Sequence, residues 1–383
     1  MSEWKEYSLE EITEPIKEAY IPTGNDSLFY IGLEHIEQES LRLNSIGKST
    51  DVTSNKFKFI QDDVLFGKLR PYFRKVVKPN FSGICSTDIW VLRAKKKINQ
   101  NFLFYFIANW DFVNLSNSGE GGTRMPRADW NYLKQTRWTI PSPKEQTAIA
   151  SVLSSLDDKI DLLHRQNATL ERMAETLFRQ WFVEEAKKDW KEISLFKAIE
   201  LVGGGTPKTS LSKYWDGNVK WLSGGDIANN HKNFVVSSEK SITELGLKNS
   251  SAKLLPKFST VISARGTVGK YCMLSEPMAY SQSNYGILPK YKNCFFFTYL
   301  LVAFSVDELQ SAAYGSVFDT ITTNTFKGIT ITLPKETHII WFEETVKPYF
   351  FKILANQTQI RTLTALRDTL LPKLMSGEVS VEV

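Results

Sequence analysis

Two glycine-rich stretches are the parts of this sequence that most resemble a nucleotide-binding site. The first reads Gly203-Gly204-Gly205-Thr206-Pro207-Lys208-Thr209, and the second reads Gly266-Thr267-Val268-Gly269-Lys270-Tyr271. Neither has the GxxxxGK[ST] spacing that cradles phosphates, because Ala264 and Tyr271 stand where the second stretch would need glycine and serine or threonine. We therefore predict a tight turn at a strand end for each stretch.

The remaining candidates for catalysis lack the required spacing. Histidine occurs at positions 35, 164, 231 and 338, and cysteine at positions 85, 272 and 294. These residues form no CxxC pair, no Cys/His ligand spacing and no disulfide framework. The Asn/Asp-Pro-Pro-aromatic tetrapeptide of amino-methyltransferases is also absent from the sequence. We predict no catalytic residues, no cofactor and no metal.

Basic residues interleaved with aromatic residues in predicted turns are the candidate nucleic-acid contacts. Arg and Lys bind phosphate through charge and present paired donors to guanine, while Gly lets the backbone approach a groove. The candidates in the first half are Lys68, Arg70, Arg74, Lys75, Gly122, Thr123, Arg124 and Arg127. Those in the second half are Thr206, Lys208, Lys213, Arg265, Lys270 and Ser316. For any one of them, a solvated basic turn is the alternative interpretation.

A long helix is predicted between these two sets of turns. From Lys144 to Phe182 the apolar residues recur at spacings of four and three, which is the heptad pattern of a coiled coil. Asn167 fills the gap in the pattern, as a polar residue that specifies register does. A helix of this length with an apolar seam requires a partner.

A second heptad pattern near the C-terminus supplies that partner. Its apolar positions run from Phe342 to Leu374, with Asn356 and Arg367 at the polar seam positions. Asn167 and Asn356 each lie near the middle of their helix, so an antiparallel pairing brings the two amides opposite each other or nearly so. The alternative is two helices buried in one ordinary core, which sustained 3.5-residue periodicity disfavours.

Length, composition and charge limit the class of protein. A chain of 383 residues that is 42% hydrophobic can bury more than one core, so we expect two or three domains. The net charge of +5 permits an anionic partner. The N-terminal segment lacks a signal-peptide core, no apolar run is long enough to span a bilayer, and the unpaired cysteines suit a reducing compartment. These features predict a cytoplasmic protein without a membrane association.

An internal repeat of about 190 residues divides the chain into similar halves. Trp4-Lys5-Glu6 recurs as Trp190-Lys191-Glu192, and the pair Gly122 and Lys134 recurs as Gly315 and Lys327. The globular part of each half has short strand-like runs, predicted at Ile89 to Leu92, Val261 to Ser263 and Gly328 to Leu333. Each also has an apolar helix, predicted at Phe102 to Val113 and Phe295 to Phe304. We predict two α+β globules, each followed by one long helix.

Several of these strings resemble the specificity subunit of type I restriction-modification systems. Pro143-Lys144-Glu145-Gln146, Leu156-Asp157 and Leu177-Phe178 with Trp181-Phe182 are similar to its first conserved region. Leu366-Arg367-Asp368, Leu370 to Leu374 and Ser376-Gly377-Glu378 are similar to its second, and Gly204-Gly205-Thr206-Pro207 to the opening of a target-recognition domain. The first half lacks the Gly-Gly-Thr-Pro string, which is a departure from a strict repeat.

The resemblance implies a fold, a function and partners. The fold class is α+β: two α/β-mixed target-recognition domains separated by two long helices that form an antiparallel coiled coil, with a pseudo-twofold internal repeat. The implied domains are residues 1–142 and 187–334 for target recognition, and residues 143–186 and 335–383 for the spacer helices. The implied function is non-catalytic, sequence-specific binding of double-stranded DNA, together with two methyltransferase (M) subunits and endonuclease/translocase (R) subunits. The alternative is a coiled-coil scaffold carrying two ligand- or protein-binding domains.

Overall fold

The computed structural model describes residues 4–23, 27–118, 125–314 and 319–381. Within it the chain forms two compact units, the first built from residues 1–161 and 361–383 and the second from residues 162–360. The predicted sites Gly122, Thr123, Arg124 and Ser316 lie outside the described residues.

The first unit is a mixed α+β globule. Its strands are β1 (Lys5–Ser8), β2 (Thr13–Ile16), β3 (Ala19–Tyr20), β4 (Phe29–Ile31), β5 (Gly47–Lys48), β6 (Lys56–Phe59), β7 (Val64–Gly67), β8 (Val76–Val77), β9 (Gly83–Ser86), β10 (Ile89–Ala94) and β11 (Arg137–Ile140). Its helices are α1 (Leu9–Ile12), α2 (Gln100–Ala108), α3 (Trp110–Asn117), α4 (Trp130–Leu133) and the first part of α5 (Pro143–Arg179). The C-terminal part of the last long helix completes it.

The strands of the first unit pair in three sheets. One has the order β2-β10-β7-β8, another has the order β3-β6-β9-β4-β5, and β1 pairs with β11 alone. All of these pairings are antiparallel except that of β4 with β9. The short turn between β9 and β10, formed by Thr87 and Asp88, therefore links the two larger sheets.

The second unit repeats this plan. Its strands are β12 (Lys191–Ser194), β13 (Ile199–Gly203), β14 (Trp215–Leu222), β15 (Phe234–Val235), β16 (Lys240–Ile242), β17 (Thr260–Ser263), β18 (Tyr271–Leu274), β19 (Ala279–Tyr280), β20 (Asn284–Pro289) and β21 (Thr330–Leu333). Its helices are α6 (Leu195–Ala198), α7 (Gly224–Asn229), α8 (Glu244–Lys248), α9 (Phe295–Tyr314), α10 (Thr323–Gly328) and part of α11 (Glu336–Ser376).

Equivalent strands occupy equivalent places in the two units. The pair β12 and β21 reproduces β1 and β11, since Lys191 lies opposite Leu333 as Lys5 lies opposite Ile140. The central strand β20 lies between β13 and β17, just as β10 lies between β2 and β7. The internal repeat read from the sequence is thus a structural repeat.

The two long helices are those that the heptad patterns predict. Helix α5 continues beyond Arg179 as a π-helical turn, Gln180–Glu184. In the first unit, Leu153 of α5 shares a core with Leu371 of α11, and in the second unit Phe178 shares a core with Phe342. Residues early in α5 thus meet residues late in α11, and the reverse holds in the second unit, so the pairing is antiparallel.

Several predicted elements differ in their limits. The helix predicted at Phe102 to Val113 is two helices, because Asn109 has extended backbone angles, φ −67° and ψ 140°, and separates α2 from α3. The helix predicted to end at Phe304 continues to Tyr314. The strand predicted from Gly328 begins at Thr330, since Gly328 ends the capped helix α10.

Each unit has a core that extends from its sheets to its share of the long helices. In the first unit, the apolar face of α2 packs with Ile149 and Leu153 of α5. In the second, α9 packs with Ala174 and Phe178. Because one buried face serves both the globule and the helix pair, each globule is anchored to its helices by packing. None of the described helices is both long and apolar enough to cross a membrane.

Candidate nucleic-acid interface

Two basic segments that are far apart in the sequence lie side by side in the first unit. The Arg70 N–H donates to Pro126 O at 2.8 Å, and the Ala128 N–H donates to Lys68 O at 2.9 Å. Leu69 and Arg127 form an antiparallel β-bridge between these two hydrogen bonds. The backbone therefore brings Lys68, Arg70 and Arg127, which were predicted from separate turns, to one edge of the globule.

A carboxylate that the sequence reading missed lies beside these cations. Asp88 Oδ1 is 2.9 Å from Arg127 Nη2, and the Asp88 carbonyl accepts the Lys68 N–H at 2.9 Å. Burial lowers the pKa of Lys68, and the neighbouring Asp88 carboxylate opposes that shift. The position of Asp88 in a short polar turn between two apolar strands is the sequence signal that could have found it.

A cavity of about 420 Å³ opens at this cluster. Its lining includes the aromatic residues Phe57 and Trp90 and the charged residues Lys17, Lys68, Asp88 and Arg127. The Arg127 side chain is 55% exposed, and that of Asp88 is 29% exposed. A lining that combines cations with aromatic rings is suited to an anionic, partly planar ligand such as a nucleic acid.

Arg70 and Lys75 lie on either side of the 3-10 turn Pro71–Phe73. Arg70 has a left-handed backbone conformation, φ 52°, and precedes the 3-10 turn Pro71–Phe73. Its guanidinium lies 6.0 Å from the centre of the Phe73 ring. The Lys75 ammonium donates to Leu33 O, and burial lowers the pKa of Lys75. Arg70 remains half-buried at the surface, whereas Lys75 is tied to the protein.

Arg74 does not fit the predicted role of a DNA contact, because it is only 1% exposed. Its Nε donates to Ala108 O at 2.7 Å, and its Nη1 lies 3.3 Å from Asp368 Oδ1. Its guanidinium also lies 5.2 Å from the centre of the Trp110 ring. The side chain is enclosed by the first unit's own core and helix and is not available to DNA.

The carboxylate that holds Arg74 belongs to a buried ionic network. Arg367 Nη2 lies 3.1 Å from Asp368 Oδ1, and Arg367 Nη1 lies 2.8 Å from Asp157 Oδ1. Tyr105 donates to the other oxygen of Asp157 at 2.7 Å. The predicted polar seam residue Arg367 thus links α5, α11 and the globular part of the first unit.

In the second unit the corresponding turn follows strand β17. The Ser263 N–H donates to Lys270 O at 2.7 Å, which closes the turn. Gly266 and Gly269 have positive φ angles of 74° and 79°, a conformation that favours glycine. The turn leads to strand β18 and to no helix, so the predicted tight turn at a strand end is confirmed for this stretch.

The basic candidates of the second unit differ in their surroundings. Arg265 is exposed and makes no side-chain hydrogen bond or ion pair with another described residue, while Lys270 is half-buried. Lys208 is exposed beyond strand β13, where its carbonyl accepts the Trp215 indole N–H at 3.2 Å. Lys213 lies on a separate 3-10 turn, with its ammonium 5.7 Å from the Tyr214 ring.

The Gly-Gly-Thr-Pro string has a steric role in this unit. A Cβ on Gly204 would lie 2.2 Å from Ser281 O, and one on Gly205 would lie 2.2 Å from Ala252 N. The two glycines therefore allow the chain to pass directly against its neighbours. Thr206, which follows them, is half-buried.

The two seam asparagines meet in the second unit. Asn356 Nδ2 donates to Asn167 Oδ1 at 2.8 Å, within the buried seam.

Among the described residues, no cluster of three or more His, Cys, Asp or Glu side chains could hold a metal ion.

The chain matches the family described as type I restriction modification DNA specificity domain, over residues 1–172 and again over residues 187–360. It belongs to that family. The two matches coincide with the two halves of the internal repeat.

Individual relatives extend this result. The chain is 23% identical over 462 residues to the type I restriction enzyme HindI specificity subunit of Haemophilus influenzae, covering 99% of this chain and 100% of that protein. It is 26% identical over 309 residues to the MjaIX specificity subunit of Methanocaldococcus jannaschii, covering 75% of this chain and 71% of that protein. Its fold is similar to the crystal structure of a type I restriction-modification S subunit from M. genitalium, with a TM-score of 0.60 and 14% identity over 100% of this chain and 97% of that one.

Proposed function

We propose that this chain selects the DNA sequence on which a type I restriction-modification complex acts, and that each unit reads one half of a bipartite, asymmetric site. The observation that carries this proposal is the presence of the family's domain twice in one chain with non-identical residues. An identical pair of readers would match a palindrome, whereas two different readers require two different half-sites.

The charge of the candidate surfaces supports DNA as the ligand. Exposed Arg127 in the first unit and exposed Arg265 in the second are available to phosphate, and the chain carries a net charge of +5. Phosphate contacts of this kind supply sequence-independent affinity and make binding depend on salt.

The chemistry of restriction and modification belongs to partner subunits in this proposal. Two methyltransferase subunits bind the chain, endonuclease/translocase subunits join in the full complex, and the chain itself uses no cofactor. We also propose that the complex works in the cytoplasm, where the free cysteines 85, 272 and 294 stay reduced.

The long helices are proposed to set the distance between half-sites. The recognition domains are residues 1–142 and 187–334, and the spacer segments are residues 143–186 and 335–383. Inserting four residues into both helices should change the accepted gap between half-sites or abolish recognition. An unchanged gap would contradict the spacer role.

Reconstitution with the methyltransferase subunits tests the central proposal. A filter-binding assay should show sequence-specific binding to duplex DNA when the partner is added, and methylation mapping of the host genome should show a split, asymmetric site. Absence of DNA binding by the assembled complex would contradict the proposal and favour a scaffold that joins two protein-binding domains.

A further inference from the structure

The edge of the candidate interface is built on the same backbone frame in both units. In the first unit, the Gly67 N–H donates to Lys75 O, the Lys68 N–H to Asp88 O and the Ala128 N–H to Lys68 O, each at 2.9 Å. These hydrogen bonds hold three chain segments together at one point. They fix where the side chains of residues 68, 88 and 127 emerge.

The second unit makes the same three hydrogen bonds. The Ser263 N–H donates to Lys270 O at 2.7 Å, the Ala264 N–H to Ser283 O at 3.0 Å and the Ile321 N–H to Ala264 O at 3.1 Å. Ala264 is therefore the counterpart of Lys68, and Ser283 is the counterpart of Asp88. Because Ala128 and Ile321 correspond, Thr320 is the counterpart of Arg127.

The side chains on this shared frame differ in chemistry. The first unit has an ammonium, a carboxylate and a guanidinium at the three positions, whereas the second has the buried methyl group of Ala264 and the hydroxyl groups of half-buried Ser283 and Thr320. A backbone frame that is retained while its side chains change is expected where two domains read different sequences with one architecture.

The carboxylate limits what the first unit can bind at this point. One oxygen of Asp88 is held by Arg127 at 2.9 Å, and the other has no hydrogen-bond partner among the described residues. A carboxylate repels phosphate, so the position of Asp88 among these cations is unsuited to a surface that binds only the phosphate backbone of DNA. A carboxylate is instead suited to accept a hydrogen bond from the exocyclic amino group of a base in the major groove, as carboxylates do from cytosine.

We propose that residues 88 and 127 in the first unit are equivalent to residues 283 and 320 in the second as specificity-determining positions, with Asp88 accepting a hydrogen bond from the amino group of cytosine or adenine. Position 68 contributes in the first unit only, because its counterpart Ala264 is buried. This inference rests on the proposed function. Arg127 orients the carboxylate through its 2.9 Å contact, and Lys68 and Arg127 together neutralise it beside the DNA. The neutral set in the second unit reads its half-site without a carboxylate.

The test uses the chain assembled with its methyltransferase subunits and a DNA library randomised over both half-sites. Asp88→Ala should reduce the preference for an amino-bearing base at one position of the first half-site by roughly 5- to 150-fold, with the second half-site unchanged. Asp88→Asn, which has the same shape, should change the preferred base and retain the fold. Asp158→Ala, at an exposed helix position without a hydrogen bond or ion pair to described residues, is the matched control and should leave both preferences unchanged.

The reciprocal variant tests the equivalence. Ser283→Asp should create a preference for an amino-bearing base at the corresponding position of the second half-site. Equal weakening of all sequences by Asp88→Ala, with every base preference retained, would overturn the inference while leaving the proposed function intact. A parent complex without any sequence preference would overturn both.

Discussion

Asn356 Nδ2 donates a 2.8 Å hydrogen bond to Asn167 Oδ1 inside an apolar seam, where the two residues are only 1% and 6% exposed. A buried amide pair of this kind favours one register of two helices over its shifted alternatives, because a shift leaves both amides without a partner. The seam therefore specifies a pairing as well as stabilising one.

Asn167→Leu and Asn356→Leu should each lower the urea midpoint of the chain. Each single change leaves the opposite amide buried without its partner, at a cost of about 1–3 kcal/mol. The double variant has no orphaned amide, so we expect it to be less destabilised than the sum of the single changes. Urea unfolding followed by circular dichroism measures this, and strict additivity would show that the two amides act independently.

Arg367→Ala should strongly destabilise the first unit. The change removes the ion-pair partner of Asp157 and one ion-pair partner of Asp368, and breaking a pair whose cation is buried costs up to about 3–5 kcal/mol. Lys373→Ala is the control, because its ion pair with Glu378 is exposed and contributes about 0–1 kcal/mol. Equally small shifts in the thermal midpoint for both variants would show that the ionic network does not stabilise this unit.

Glu343 should make the second unit more stable at acidic pH. Burial raises the pKa of Glu343 from 4.5 to about 7. The hydrogen bonds that Glu343 accepts from the Phe296 and Phe297 N–H groups oppose this rise. Between these pH values the folded chain keeps a proton that the unfolded chain releases. The resulting stabilisation is complete below pH 4.5 and is lost as the pH rises through about 7.

Glu343→Gln tests this dependence, since the amide does not titrate. The difference in unfolding free energy between parent and variant should change by about 3 kcal/mol over that pH range. Burial also raises the pKa of Glu171 to about 7, but Glu171 is present in both proteins and cancels in the difference. The exposed change Glu308→Gln should leave the parent profile unaltered. If the unfolding free energies of the parent and the Glu343→Gln variant change in parallel with pH, the assignment of the raised pKa to Glu343 is wrong.

Arg70→Ala and Lys270→Ala should weaken DNA binding through different half-sites. Arg70 borders the basic edge of the first unit, and Lys270 closes the corresponding turn of the second. Binding of the assembled complex to sites altered in one half should show that each variant loses affinity only through its own half. Loss of a phosphate contact should also reduce the salt dependence by about one unit of slope. Two variants that bind as the parent does would exclude these turns from the DNA interface.

The repeat, the two long helices and the family resemblance could all be predicted from the sequence alone. A heptad seam is a local periodicity, so the spacing of residues such as Leu153 and Phe342 predicts both helices without any tertiary information. The seam asparagines could be paired for the same reason, because their positions along two antiparallel helices follow from counting residues. Strands such as β17 were also recognisable from short apolar runs between turn residues.

Only the tertiary structure decided which basic residues share a surface. Arg74 and Arg70 are four residues apart in one basic run, yet one is enclosed against Asp368 and the other lies at the surface, because the intervening 3-10 turn points them in different directions. Asp88 joins Lys68 and Arg127 through backbone hydrogen bonds between distant segments. Burial and long-range pairing depend on how the whole unit packs, and no local pattern of charge in the sequence contains that information.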